Sequence, residues 1–426
     1  MTGKFWRNTS ALVLVAAIAS LSMSCASTIA LEKPVRDEQD LAAYFEARGL
    51  PRCESTMPTL YFSGKSWEQR ALQLIDSAKD YIFITVFLGT WHEYSAPIYE
   101  ALSRKAQEGV RIYYMVDPSS YEQYVPDRKH LIPTATKRLS AAGVHVAEYN
   151  PLSGERLFTT AGLLEREHRK FWVVDGKYIA TGGMNINYLS CAPLDQGGHL
   201  DTFAEVQSEE AARRMVKSFC VTWNAFSPEH LDPADFPIRQ TEKTETSLWL
   251  ADQAFGGYGE TDAMFDAFFL YAKKEVWMIQ AFPFVTDQLL DKIRAATSRG
   301  VSVNILLSSH SEREIHNQAA RYCMKPLLDA GANVYLYDSA EGAFLHYKLM
   351  MADRSLVAFG SANFNLRSQY LSREMEFIFD DERIGSQAYE NLQGLLLSSR
   401  KISPEEAQSY RTPVNFVSYA IMLIGG

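Results

Sequence analysis

Two histidines and two lysines in this chain are spaced as a matching pair of sites. The first is His168-Arg169-Lys170, with Asp175 seven residues after the histidine and Gly182-Gly183-Met184-Asn185 beyond it. The second is His346-Tyr347-Lys348, followed by Asp353 and by Gly360-Ser361-Ala362-Asn363. His, Lys, Asp, Gly and Asn all repeat at one offset of 178 residues. A lone His-x-Lys carries almost no information, whereas two copies of His-x-Lys-x4-Asp-x6-Gly-x-x-Asn carry a great deal. Each motif opens an apolar run that reads as a β-strand, so His168 and Lys170 share one face, and His346 and Lys348 do likewise. If the copies meet, two imidazoles and two ammonium groups converge on one pocket. That set suits a phosphodiester. A neutral imidazole attacks phosphorus to form a phosphohistidine, and a protonated one donates to the leaving oxygen. The lysines and the amides of Asn185 and Asn363, with Ser361 as an auxiliary, stabilise the charged equatorial oxygens. The side chains supply the positive charge, so neither a metal nor a cofactor is called for. Asp175 and Asp353 complete the catalytic motif but face the other side of the strand, where they read as holding its end by hydrogen bonds.

The rest of the chain repeats as well. Ala78-Lys79-Asp80-Tyr81-Ile82 matches Ala272-Lys273-Lys274-Glu275-Val276. Gly109-Val110 matches Gly300-Val301, and Ala142-Gly143-Val144 matches Ala330-Gly331-Ala332. The offsets drift from 194 through 191 and 188 to 178, as a duplicated domain with loop indels would show, with extra residues between Asn150 and Glu167. In the first copy, strands are predicted at 82–87, 110–116 and 144–149, and helices at 98–107 and 134–142. The fold class is therefore α/β: two tandem domains, each a mixed sheet flanked by helices, related by a pseudo-twofold axis. The predicted organisation is a leader at 1–24, an N-terminal segment at 25–60 with a helix at 38–49, domains at 61–226 and 247–400, a Pro-containing linker at 227–246, and a C-terminal segment at 401–426.

The double motif resembles the phospholipase D superfamily over most of residues 60–400. That resemblance implies that His168 is the nucleophile and His346 the acid, although pseudo-symmetry leaves the reverse open. It also implies a carboxylate that orients each histidine: Glu374, eleven residues after Asn363, and more loosely Asp201. The run Gly360-Ser361-Ala362-Asn363-Phe364-Asn365-Leu366-Arg367-Ser368 with Glu374 is similar to the second motif of bacterial cardiolipin synthases, with Asn365 where Asp is usual, and the N-terminus, which lacks their paired membrane helices, resembles the minor, singly anchored type. This resemblance implies a phosphatidyltransferase that moves a phosphatidyl group between phospholipid alcohols, phosphatidylglycerol being one substrate. Alternatives are a phospholipase D that releases phosphatidate, an exported phosphodiesterase or nuclease, and an inactive lipoprotein that binds head groups. The two halves complete one site, so a monomer suffices.

Charge and the chain ends bear on the partners. With 42 Lys+Arg against 51 Asp+Glu the net charge is −9, falling to −11 once Lys4 and Arg7 leave with residues 1–24. A polyanion is repelled by such a surface, so no nucleic acid is expected. The uncharged stretch 11–23 is short for a membrane span and suits a secretory leader. Ser22-Met23-Ser24-Cys25 resembles a lipoprotein box, with Cys25 as the lipidated residue; plain cleavage after Ala26 or Ala30 and an uncleaved anchor are the rival readings. The expected location is the bacterial cell envelope at a membrane surface. The apolar stretch 414–424 is too short to span, and reads as a terminal element packed on the core or touching lipid. Among the remaining cysteines, Cys191–Cys220 is the preferred disulfide, with buried thiols the alternative. His92, His145, His199, His230, His310 and His316 follow no repeat and read as core or surface residues, with His92 a candidate pocket liner. Phe282-Pro283-Phe284 falls at a strand end near the expected pocket.

Overall fold

The computed structural model describes residues 17–27, 29, 40–119, 133–151, 164–241, 243–256, 259–311, 313–339 and 341–425. The positive end of the expected leader, Lys4 and Arg7, and the extra residues 152–163 lie outside them.

Two sheets carry the duplication. The first runs, edge to edge, Thr59–Tyr61, Phe203–Val206, Tyr178–Gly182, Phe171–Val174, Tyr81–Val86, Arg111–Val116 and His145–Glu148. The second runs Arg52–Ser55, Thr246–Gln253, Ser372–Asp380, Leu356–Gly360, Lys348–Ala352, Glu275–Gln280, Ser302–Ser308, Asn333–Tyr337 and Ser399–Lys401. The six strands from Phe203–Val206 to His145–Glu148 correspond in order to the six from Ser372–Asp380 to Asn333–Tyr337. In each set three strands pair in parallel, and the motif strand joins them antiparallel. Tyr81–Val86 is buried at every position, as a strand covered on both faces must be.

The sheets stack with helices between and outside them. Phe83, Phe171 and Val173 of the first sheet share one core with Leu349, Met351, Val357 and Phe359 of the second. Into that core run Glu209–Phe226 and Glu382–Leu397. The former buries Ala211, Ala212, Met215, Val216, Phe219, Cys220 and Trp223, an i, i+3/i+4 stripe, behind an N-cap in which Ser208 accepts from the Ala211 N–H. Gly64–Ser77, Ala96–Gln107 and Pro133–Ala141 cover the outside of the first sheet. Glu260–Tyr271, Asp287–Thr297 and Glu314–Asp329 cover the outside of the second.

Ahead of the first repeat, Arg52–Ser55 pairs with Thr246–Trp249 in the second sheet and Thr59–Tyr61 edges the first. Between the halves, Phe236 packs on Tyr81 and Phe83 at 5.1 and 4.6 Å between ring centroids, and Thr246 begins a strand. The expected Cys191–Cys220 disulfide needs correction, because both residues are free thiols. They lie on opposite faces of the first sheet, Cys191 in the outer core and Cys220 in the inner one. Burial pushes both thiols up to about 12.

The chain ends pack on the second half. Helix Pro413–Gly425 lies along Glu314–Asp329, with the Ser418 hydroxyl donating to Gln318 at 2.6 Å. Residues 17–27 are helical, and Ala26 and Ile29 reach the outer core of the second sheet. Among the described residues no helix is long and apolar enough to cross a membrane.

Candidate active site

Two short parallel bridges knit the halves together at the motifs. Arg166–Glu167 pairs with Ser372–Arg373, and Phe344–Leu345 pairs with His199–Leu200. The His168 N–H then donates to the Arg373 carbonyl and the His346 N–H to the Leu200 carbonyl. Each histidine is thus hung from the backbone of the other half.

Its side chain is completed by the other half too. Both oxygens of Glu374 lie 2.9 Å from His168 Nδ1, and Asp201 Oδ2 lies 2.6 Å from His346 Nδ1. The carboxylates accept from Nδ1–H and so leave each Nε2 as the atom that meets a substrate. Behind Glu374, the hydroxyls of Ser361 and Ser368 donate to it at 2.5 and 2.6 Å. Ser361 is fully buried and also accepts the Met375 N–H, so it braces Glu374 and does not face the phosphate as the sequence reading had it. Its counterpart Gly183 works by having no side chain. A Cβ there would sit 2.2 Å from Asp201 Oδ1, so only glycine lets the shorter carboxylate come forward.

The lysines are not equivalent. Lys348 Nζ lies 2.9 Å from His346 Nε2 and donates to the His346 carbonyl at 2.6 Å. Lys170 donates to the His168 carbonyl at 2.5 Å, and among the described residues no hydrogen bond reaches His168 Nε2. The four side chains feel one another across the interface. Burial lowers His168 to about 4 against the pull of Glu374, with Lys170 and Lys348 lowering it further. His346 is held well below its usual value by burial and by Lys348, His199, Lys170 and His168. Burial brings Lys170 down to about 7, with Glu374 opposing and Lys348 assisting. Asp201 rises to about 6 through burial, against Lys348. Glu374 stays below the usual carboxylate range despite burial, because His168 and Lys170 stand beside it.

The two asparagines differ as well. Asn185 Oδ1 accepts the Leu88 N–H at 2.8 Å, which turns its NH2 away from that strand. Asn363 Oδ1, also buried, has no hydrogen-bond partner among the described residues. Both backbone N–H groups are fixed by equivalent serines, Ser190 and Ser368, at 3.2 and 3.0 Å.

Asp175 and Asp353 stand outside this cluster, although they share the motif. Each follows its strand at the end away from the lysine, about 16 Å along the chain from it. Asp175 accepts the N–H groups of Lys79, Asp80 and Tyr81 at 2.9, 2.8 and 3.0 Å. Asp353 accepts those of Lys273, Lys274 and Glu275 at 2.7, 2.8 and 3.0 Å. Both sit at positive φ, 54° and 51°, in the turn that closes the hairpin. Their place in the catalytic set is corrected accordingly: they clamp strands.

Sequence reasoning missed two residues. Arg169, between the catalytic pair, is fully buried and binds Glu167 at 2.7 and 2.5 Å, Asp252 at 2.9 Å, Ser218 at 2.8 Å and Thr222 at 3.1 Å. It thereby joins the motif to a strand of the other half. An arginine next to a motif histidine is a weak signal by itself. His199 is the second, with its ring centroid 5.2 Å from that of His346. Its spacing of two residues before Asp201 was the available clue. His92, in contrast, packs at a tilt against Tyr94 and Tyr188, and His145 pairs with Glu229.

A family model described as cardiolipin synthase, PLD-like domain, matches residues 71–223 and again 267–396. Cardiolipin synthase 1 of Bacillus anthracis is 26% identical over 354 residues, covering 79% of this chain and 66% of that protein. The major cardiolipin synthase ClsA of Bacillus subtilis (strain 168) is 29% identical over 358 residues, 80% of this chain and 69% of that one. The chain spans about two thirds of the length of the curated relatives it matches. Among solved structures, phosphatidylserine synthase of Haemophilus influenzae Rd KW20 superposes with a TM-score of 0.66 at 14% identity, covering 87% of this chain and 96% of that one. Polyphosphate kinase of Porphyromonas gingivalis gives 0.53 at 11%, over 88% and 55%. At those identities the likeness is one of fold.

Proposed function

The chain belongs to the PLD-like family of cardiolipin synthases, and from that premise we propose that it is a phosphatidyltransferase working through a phosphohistidine. The observation that carries the assignment of roles is the unequal treatment of the two Nε2 atoms. His168 Nε2 bears a lone pair that meets no donor among the described residues, with Glu374 holding the far side of the ring. His346 Nε2 lies against Lys348. His168 Nε2 attacks phosphorus, the P–O bond to the first alcohol breaks, and the proton on His346 passes to that oxygen. A second alcohol then gives its proton to His346 while its oxygen displaces His168 from phosphorus. Lys170, Lys348 and the amides of Asn185 and Asn363 face the non-bridging oxygens.

Burial keeps both imidazoles neutral near pH 7, which serves the nucleophile and not the acid. An anionic phosphodiester beside His346 favours its protonated form, so substrate and proton bind together. Phosphatidylglycerol fits as donor and acceptor, with cardiolipin as product. The family's relatives and the net charge of −9 favour a lipid over a polyanion. We place the protein at the bacterial envelope, with residues 1–24 as its leader and Cys25 as the lipidated residue. Apolar side chains at Val414 and Phe416 are exposed for contact with a bilayer. A monomer contains the whole site.

The test is thin-layer analysis of labelled phosphatidylglycerol vesicles incubated with the full chain and with His168→Ala. Labelled cardiolipin from the wild type alone supports the reading. Phosphatidate as the sole product would make the protein a hydrolase, and no turnover of any phosphodiester would end the assignment.

A further inference from the structure

The pseudo-twofold symmetry of the site is broken at one place beside the chemistry. His199 and Ser372 occupy equivalent positions, each two residues before the carboxylate that holds the opposite histidine. Phe344 and Arg166 are likewise equivalent, each two residues before a motif histidine. The two short bridges pair them, Phe344 with His199 and Arg166 with Ser372. The frame is the same on both sides, and the side chains are not.

Around His346 the flank is aromatic. His199 lies 5.2 Å from the His346 ring and 5.0 Å from Phe344, and Phe344 and Phe282 lie 5.5 and 5.8 Å from His346. His199 is 6% exposed. Around His168 the flank is polar: Phe87 approaches at 5.2 Å, but Arg166 turns to the Asn150 carbonyl at 3.2 Å and to Asp117 at 3.6 Å.

Stabilising the phosphoryl oxygens needs no such difference, since the lysines and asparagines are duplicated. The difference matches the one asymmetric demand of a transfer reaction. Two alcohols, one leaving and one arriving, pass in turn beside the acid–base residue and never beside the nucleophile. We propose that the His346 flank is an alcohol subsite selective for a polyol such as a glyceryl group, with His199 as the side chain that binds it. An imidazole offers one donor and one acceptor, which suits neighbouring hydroxyls, and the phenyl walls of Phe344 and Phe282 disfavour water as a competitor. The inference rests on the transferase reading and on His346 as the acid–base residue.

The experiment compares wild type, His199→Phe and His199→Gln, with thermal melting to confirm folding. A phosphatidyl ester of p-nitrophenol serves as donor, because its leaving group is no polyol, and glycerol is added as acceptor. Release of p-nitrophenol reads the first step, and the ratio of phosphatidylglycerol to phosphatidate reads the second. His199→Phe is expected to raise the glycerol KM about tenfold and to shift product to phosphatidate, an effect on the second step larger than any on release of p-nitrophenol. His199→Gln, which keeps a hydrogen-bonding group, recovers part of the transfer. An unchanged transfer ratio in a folded His199→Phe overturns the proposal; if that variant does not fold, an unchanged glycerol KM in a folded His199→Ala does so. A wild type that transfers to no alcohol refutes the transferase reading itself, which separates the two failures.

Discussion

Replacing Glu374 by Gln removes one charge and almost no volume, so its effect isolates what that carboxylate does. Three donors converge on its two oxygens: His168 Nδ1–H, Ser361 Oγ–H at 2.5 Å and Ser368 Oγ–H at 2.6 Å. A glutamine presents one oxygen and one NH2, so at least one of these donors meets another donor. Loss of a hydrogen bond to a charged group costs about 1.5–3 kcal/mol, or about 10- to 150-fold in rate. If the NH2 turns to His168, the ring must take the other tautomer and Nε2 carries the proton, which removes the nucleophile altogether. The deficit therefore falls on formation of the phosphatidyl-enzyme, not on its breakdown. The assay is a single turnover with phosphate-labelled lipid, quenched in denaturant, with label counted on the protein. Glu374→Gln is expected to slow the appearance of labelled protein by at least about tenfold. Asp201→Asn is expected to slow transfer out of the labelled intermediate as well as its formation, since His346 handles a proton in both steps. Labelling by Glu374→Gln within threefold of wild type would refute the crossed-pair argument.

Other consequences follow from the same distances and charges. The value of kcat/KM is expected to rise as His168 loses its proton near pH 4 and to fall at higher pH, through the proton that His346 must take up with substrate and through loss of the Lys170 proton near pH 7; in Lys170→Arg, which stays charged, the Lys170 part of the alkaline fall is lost, as a pH profile on vesicles will show. Asp175→Asn keeps a side chain that tolerates positive φ but turns an NH2 toward a backbone N–H, so we expect about 1–3 kcal/mol lost in urea unfolding with activity retained at low temperature. Gly183→Ala is expected to push Asp201 back from His346 and reduce turnover, whereas Ser361→Ala, at the equivalent position, reduces labelling of His168 through Glu374. Reductant is expected to leave the melting temperature unchanged, and Cys53, Cys191, Cys220 and Cys323 should each titrate as thiols after unfolding.

The motifs were legible because chemistry demanded the same residues twice at one offset, and the strands because buried parallel strands must be apolar throughout. The acidic partners were legible as residues, but not their crossing: nothing in a linear chain says that Glu374 serves His168 and Asp201 serves His346. Arg52–Ser55 could not be assigned to the second sheet, since its partner lies almost two hundred residues away and short strands carry little pattern. His199 escaped because its counterpart is a serine, and a search for repetition passes over the positions where two copies have diverged. Ser361 was assigned to phosphate because a hydroxyl in a motif invites it; only its burial shows that Glu374 takes it first.

The exchange of carboxylates between halves sets when this protein can act. A nascent chain that has emerged only as far as Phe226 holds His168, Lys170 and Asp201, but neither Glu374 nor the second imidazole. It is an inert half-tool, harmless to whatever lipid or partner it meets while it is being made and moved. Competence arrives with the last strands of the second sheet, all at once, and docking of the two lobes is its trigger.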